Sequence, residues 1–162
     1  GCFGMETKDV LKSATVFVPG EGVKTVTAAE LEYDYRQSRL KKEGGVVLSA
    51  VFKLRAGDKT AIQEKMREIA KSRIQKQPAG SSTGSFFKNP PGDFAGRLIE
   101  AVGLKGKRLG KAQISEQHAN FFLNTGGASA GEILELAALA EAEVFKQFGV
   151  KLERDVVFVA SE

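Results

Sequence analysis

Gly84-Ser85-Phe86-Phe87-Lys88-Asn89-Pro90 sets a hydroxyl between a glycine and two aromatics, with an ammonium and an amide close behind. A hydroxyl so placed can donate or accept a proton where a neighbour lowers its effective pKa. A serine in a tight loop can equally act as a local hydrogen-bonder, and spacing alone leaves both open. The segment is not G-x-S-x-G, which disfavours a hydrolase nucleophile elbow. Tyr35-Arg36-Gln37-Ser38-Arg39 joins an aromatic ring, a guanidinium fork and a hydroxyl. Such a set can hold a carboxylate or meet developing negative charge, or it can be a solvated polar turn. His118 is the single histidine, so a multi-histidine metal site is excluded. It can hydrogen-bond a ligand or serve structurally. Glu153 and Asp155 stand two apart where the chain reads as strand, so both point to one face, as cleft carboxylates or as exposed edge charges. Lys105, Lys107, Arg108 and Lys111 could meet phosphate, although a solvated connection is favoured. The lone Cys2 forbids an internal disulfide and has no basic neighbour before Lys8 to activate its thiol. No metal site is expected.

The elements that must position these groups read as α+β. A strand at 13–18 (SATVFV), the turn Pro19-Gly20-Glu21-Gly22 and a return at 23–26 predict a hairpin. Thr27-Ala-Ala-Glu30 is a capping box that should open a short helical turn. A polar, basic stretch at 33–43 leads through Gly44-Gly45 to 46–54 (VVLSAVFKL), a strand expected to be buried on at least one face. Asp58 should cap a helix running to about 75, with Ile62, Met66, Ile69 and Ile74 on one face. A loop at 77–84 and the stop Asn89-Pro90-Pro91-Gly92 precede a second helix over 94–102, capped by Asp93 and closed by Gly103. Short strands follow at 111–114 and 120–123. Ser129-Ala-Gly-Glu132 opens a helix through 148, striped by Ile133, Ala137, Ala140, Val144 and Phe148 and ended by Gly149. Residues 156–159 read as a closing strand. The boundary between a mostly β lobe and an α+β lobe is placed at 56–58.

The 162 residues suit one ordinary domain or a small pair of lobes. Lys and Arg number 24 against 20 Asp and Glu, a net charge of +4, too mild to imply nucleic acid by itself. No run approaches the ~18 apolar residues of a membrane span and no signal peptide is read, so a cytoplasmic-type protein is expected. Gly1 stands without an initiator Met, so the chain reads as processed or as a piece of something longer.

Six segments in order carry a more specific signal. They are Tyr35-Arg36-Gln37-Ser38, Gly84-Ser85-Phe86-Phe87-Lys88-Asn89-Pro90, Phe94-Ala95-Gly96-Arg97-Leu98-Ile99-Glu100-Ala101, Gly103-Leu104-Lys105-Gly106, Ser115-Glu116-Gln117-His118-Ala119-Asn120-Phe121 and Phe148-Gly149-Val150-Lys151-Leu152-Glu153. Together they closely resemble UDP-N-acetylenolpyruvoylglucosamine reductase, the MurB family of peptidoglycan synthesis, over essentially the whole chain. The Ser85 and His118 segments carry the specificity; Tyr35-Arg36 alone would not.

The resemblance implies an α+β fold: the trailing half of a PCMH/VAO-type FAD-binding lobe over 1–55, then a UDP-sugar substrate-binding domain over 58–162. It implies a flavoenzyme in which NADPH reduces FAD and the reduced flavin gives hydride to C3 of the enolpyruvyl group, forming UDP-N-acetylmuramate. By the same resemblance Ser85 protonates C2, and Arg36 stabilises the enolic charge near the flavin. Lys88 and Asn89 help position substrate, His118 contacts it, and Lys76 faces the UDP-sugar. Phe3 and Tyr35 are flavin-side aromatics, and Gly1 lies in the cofactor loop. The family's C-terminal carboxylate is a glutamate in a Leu-Glu-x-Glu-Val pattern. In Leu152-Glu153-Arg154-Asp155-Val156, Asp155 takes that place, one methylene shorter. A displacement of about 1 Å can cost on the order of a hundredfold in rate, so Asp155 substitutes at some loss or Glu153 matters more.

The chain starts at the glycine of the family's Asn-x-Gly motif, downstream of its glycine-rich pyrophosphate-binding segment. The front half of the FAD domain is therefore expected to be absent and the fragment alone inactive. The implied partners are UDP-N-acetylglucosamine enolpyruvate and the N-terminal half of the same enzyme if separately expressed, with no nucleic acid and no membrane, in a bacterial cytoplasm. Two rivals stand beside this reading. One is an isolated UDP-sugar-binding module without catalysis. The other, less favoured, is a basic RNA-binding lobe using Phe86, Phe87 and the 105–111 cluster.

Overall fold

Alternating burial shapes the first of two compact units, Gly1–Ile69 and Ala70–Glu162, in a computed structural model that describes residues 3–159. Helix α1 (Thr7–Val10) leads into β1 (Leu11–Val18), whose Ala14, Val16 and Val18 alternate into a core with Val26 and Leu31. Leu11 joins that core out of phase, where a bulge interrupts the register with β3 (Val46–Phe52). The expected hairpin is present: β2 (Gly22–Thr27) pairs antiparallel with β1 from Ser13↔Thr27 to Val18↔Gly22. The sheet order is β2-β1-β3.

Three expectations for this unit are corrected. The Thr27/Glu30 capping bonds form, Thr27 N–H donating to Glu30 Oε2 at 2.8 Å and Glu30 N–H to Thr27 Oγ1 at 3.3 Å. They close a turn rather than a helix, because Glu32 at φ 47° is left-handed and cannot extend one. Strand β3 was expected to bury a face, yet it is exposed along its whole length. Leu31, Tyr33 and Leu40 pack over β1, and β3 adds no residue to that cluster. The polar stretch before β3 also hides a short helix, α2 (Arg39–Glu43), whose Ser38 Oγ accepts from Lys41 N–H at 3.3 Å.

Helix α3 (Lys59–Lys76) begins as read, Ala61 N–H donating to Asp58 Oδ1 at 2.8 Å, but its apolar stripe stays uncovered and none of its residues is buried.

The second unit holds β4 (Ser82–Ser85), α4 (Ala95–Ala101), β5 (Arg108–Leu109), β6 (Ala112–Ile114), β7 (Phe121–Asn124) and α5 (Ala130–Phe148). Its antiparallel sheet runs β4-β7-β6-β5. Leu98 and Ile99 of α4 and Leu136, Ala137, Ala140 and Val144 of α5 share one core with Phe86, Ile114 and Phe122. The α5 boundaries follow the local code. Glu132 Oε2 accepts from Ser129 N–H at 2.8 Å, Ser129 Oγ accepts from Glu132 N–H at 3.2 Å, and Gly149 closes the helix at φ 67°.

The strand expected at 156–159 does not form. In its place Arg154 makes a single bridge to Phe87, with Lys88 N–H donating to Glu153 O and Asp155 N–H to Phe86 O, both at 2.8 Å. A bidentate Arg154–Glu141 pair at 2.6 and 2.9 Å fastens this segment to α5. Among the described residues no helix is long and apolar enough to cross a membrane.

Candidate active site

Ser85 is the last residue of β4 and pairs with Phe121 of β7. Beyond it the ladder continues by substitution. Phe86 N–H donates to Asn120 O at 2.8 Å, and Phe87 N–H to the side-chain Oδ1 of Asn120 at 2.9 Å. Phe86 and Phe87 turn inward, and their ring centroids lie 4.6 and 6.0 Å from that of Phe122. At 2% and 1% exposure neither can stack on a base, so the RNA-binding alternative fails.

The loop before β7 presents His118. Buried Ser115 organises it: its Oγ accepts from Gln117 N–H at 3.0 Å and from His118 N–H at 3.3 Å. His118 Nδ1 accepts from Asn120 N–H at 3.2 Å, which leaves the neutral ring's hydrogen on Nε2. Gly96 of α4 makes room for the imidazole, since a Cβ there would lie 3.1 Å from His118 Cε1.

Burial is the main cause holding the His118 pKa below its ordinary 6.5. The folded state therefore resists protonation. Its contribution to stability is present above pH 6.5 and is lost as the pH falls below that value through the folded midpoint. As the chain's single histidine it gives one imidazole signal. An NMR titration should place its midpoint below 6.5, and a midpoint at or above 6.5 would contradict the packing described.

Asn89 Oδ1 accepts from Ala95 N–H at 3.1 Å, so this amide satisfies the first turn of α4. The cap assigned to Asp93 is thus shared, and the helix starts one residue later than read, with Phe94 as N-cap. Asp93 Oδ1 accepts from Phe94 N–H at 2.7 Å, and both carboxylate oxygens engage Arg97. Arg97 first, then the Phe94 N–H, hold the Asp93 carboxyl at about 2.

Ser85, Asn89, Gly96, Gln117, His118 and Asn120 line one cleft of about 390 Å³, built wholly from the second unit. That volume is in the range of small-molecule sites. Three residues read from the sequence, Ser85, Asn89 and His118, are brought together there.

Others are placed differently. Lys88 engages Glu153 across the Phe87–Arg154 bridge, its side chain 13% exposed against 71% for the glutamate. Asp155 is half-buried and joins by its main chain opposite Phe86, next to Ser85. Lys76 is the exposed last residue of α3. Gln117 Nε2 donates to Ile74 O at 3.0 Å and Gln75 O at 2.8 Å, which fastens the His118 loop to the turn carrying Lys76. Neither Gln117 nor Asn120 was singled out from the sequence. The signal available for Asn120 was an amide next to the apolar pair Phe121-Phe122, which burial tolerates only with partners.

In the first unit Tyr35 and Arg36 form the tip of a two-residue turn closed by reciprocal Asp34–Gln37 main-chain bonds of 3.1 and 3.0 Å. Phe3 is half exposed, and Gly1 lies outside the described residues. Among the described residues no cluster of three or more His, Cys, Asp or Glu could hold a metal ion.

A small antiparallel sheet backed by a long capped helix, with a cleft lined from its strand ends and α4, is an architecture of the α+β class, as expected. The family model for UDP-N-acetylenolpyruvoylglucosamine reductase, C-terminal domain, matches residues 75–159, and the chain belongs to that family. The UDP-N-acetylenolpyruvoylglucosamine reductase of Chloroflexus aurantiacus is 47% identical over 161 residues, covering 96% of this chain and 54% of the relative. That of Agathobacter rectalis is 45% identical, covering 98% of this chain and 51% of the relative. A crystal structure of UDP-N-acetylenolpyruvylglucosamine reductase (MurB) from Thermus caldophilus superposes with a TM-score of 0.78 at 39% identity, covering 91% of this chain and 52% of that one. The chain spans about half the length of the curated relatives it matches.

Proposed function

We propose that this chain is the substrate-handling part of a UDP-N-acetylenolpyruvoylglucosamine reductase of peptidoglycan synthesis, working in a bacterial cytoplasm. We assign 58–162 to the UDP-sugar and 1–55 to the flavin side. The observation that carries the reading is the cleft that puts Ser85, Asn89 and His118 in one lining.

Tyr35 supports a flavin in the first unit: the residue is 54% exposed, with the Arg36 guanidinium over its ring, 5.9 Å from the centroid. An exposed aromatic residue with a guanidinium over its ring suits a flat cofactor that gains negative charge on reduction. When bound, FAD reduced by NADPH supplies the hydride that adds to C3 of the enolpyruvyl group. Addition at C3 leaves the electron pair at C2, delocalised into the adjacent carboxylate. Arg36 stabilises that charge, and Ser85 gives its hydroxyl proton to C2. Asp155 takes the carboxylate role at the family's position, with Glu153, paired with Lys88, as the alternative. Asn89, His118, Lys88 and Lys76 hold the UDP-sugar, with Phe3 beside Tyr35 on the flavin side.

Titration calorimetry of the chain with UDP-N-acetylglucosamine enolpyruvate tests the reading. One-to-one binding is expected, weakened roughly tenfold by His118→Ala for the loss of one hydrogen bond. Absence of binding to the chain sinks the assignment of the cleft. Binding without turnover in the full-length protein supplied with FAD and NADPH leaves the non-catalytic module in its place.

A further inference from the structure

We propose that Asn120 is the positioning residue of this site, holding the Ser85 hydroxyl and the His118 imidazole in one fixed relation across the cleft. The inference rests on the reading of Ser85 as proton donor. Asn120 makes four hydrogen bonds, and each goes to one of those two groups or to the chain that carries it. Its N–H donates to His118 Nδ1 at 3.2 Å, and its main-chain oxygen accepts from Phe86 N–H at 2.8 Å. Its side chain then treats residue 87 as a strand neighbour would. Oδ1 accepts from Phe87 N–H at 2.9 Å, and Nδ2 donates to Phe87 O at 2.8 Å.

Strand β7 begins only at Phe121, so the main chain of Asn120 is not committed to the ladder on both sides and is free to bind the imidazole. The amide extends the pairing in its place, and only a group with one donor and one acceptor can do so. At 3% exposure the side chain has little water to replace a lost partner. Gly96 completes the arrangement, because a Cβ there would lie 3.1 Å from His118 Cε1 and 3.6 Å from Asn120 Cβ. Ser85 is bonded directly to the clamped pair, so a slip of Phe86 and Phe87 displaces its hydroxyl. A displacement of about 1 Å can cost on the order of a hundredfold in rate.

The test uses Asn120→Asp and Asn120→Ala beside Ser85→Ala in the FAD-loaded full-length protein, and Asn120→Ala in the chain itself. At pH 7.5 Asn120→Asp should slow substrate reduction at least tenfold, with the KM for the UDP-sugar within threefold and flavin reduction by NADPH unchanged. Its rate relative to wild type should recover as the pH falls, because a protonated carboxyl again offers one donor and one acceptor. Asn120→Ala should show the loss without the recovery. In the chain, Asn120→Ala should speed hydrogen exchange of the Phe87 amide at least tenfold while the α5 amides keep their protection. A pH-independent loss in Asn120→Asp, or equal loss of protection in α5, makes Asn120 merely structural and overturns the proposal. Wild-type rates in Asn120→Asp with a slow Ser85→Ala overturn it alone, whereas wild-type rates in Ser85→Ala remove its premise.

Discussion

Ser85→Ala in the FAD-loaded full-length protein is expected to slow reduction of the enolpyruvyl sugar by roughly 10²–10⁴-fold, the usual worth of a positioned proton donor. Flavin reduction by NADPH should stay within about twofold. The substitution removes one oxygen from the end of β4 and leaves the main-chain pairing of Ser85 with Phe121 in place. Asn120 still holds Phe86 and Phe87, and their rings still close the core beneath. The loss therefore falls on the chemistry at C2 rather than on the fold, and calorimetric affinity for the UDP-sugar should change little. Ser85→Cys keeps a donor at the same atom position, with an ordinary pKa near 8.5, and should recover part of the rate. Stopped-flow measurement of the two half-reactions separates the steps. Equal loss in both would falsify the proton-donor role.

Much of the fold is legible because helix ends are written locally. Asp58, the Ser129/Glu132 pair and Gly149 each act on backbone groups within a turn of themselves, so a short window of sequence suffices. Strands depend on partners that a window does not contain. Ser82–Ser85 is polar and has no apolar alternation, yet it is a strand because Phe121 and Leu123 offer it an edge. The 156–159 stretch has the right β-branched residues and gains no ladder, since the pairing ends at the Arg154 bridge. In the same way 46–54 reads as a buried strand from its residues, but burial belongs to whatever covers it, and the β1 core lies under 31–40 instead.

The site divides along the same line. Ser85 and His118 could be singled out because their chemistry is a property of the side chain and their motif is specific, and the structure puts both in the lining of one cleft. Asn120 and Gln117 act through main-chain groups more than thirty residues away, which no spacing rule displays.

The largest stability effect is expected at Phe122, and it follows from how the site is held. Phe122 on β7 is fully buried, and its ring meets Phe86 at 4.6 Å and Phe87 at 6.0 Å. Phe122→Ala removes a whole ring from a core already closed by Leu136, Ala137 and Val144 on α5. Large-to-small changes of this kind cost about 3–5 kcal/mol, because transfer energy is lost and the cavity only partly collapses. For a chain of this size that corresponds to a fall of about 10 °C in thermal midpoint. Phe122→Leu fills much of the volume and should recover more than half of the loss; a fall below about 3 °C for alanine would mean that the core does not rest on this cluster. The same change reaches the chemistry, since collapse of Phe86 and Phe87 into the cavity draws on the two residues bonded next to Ser85. Substrate reduction by Phe122→Ala, measured well below its thermal midpoint, should therefore fall further than the unfolded fraction accounts for. A rate that tracks the folded fraction alone would show the Ser85 segment to be held by the Asn120 hydrogen bonds without help from the aromatic packing beneath it.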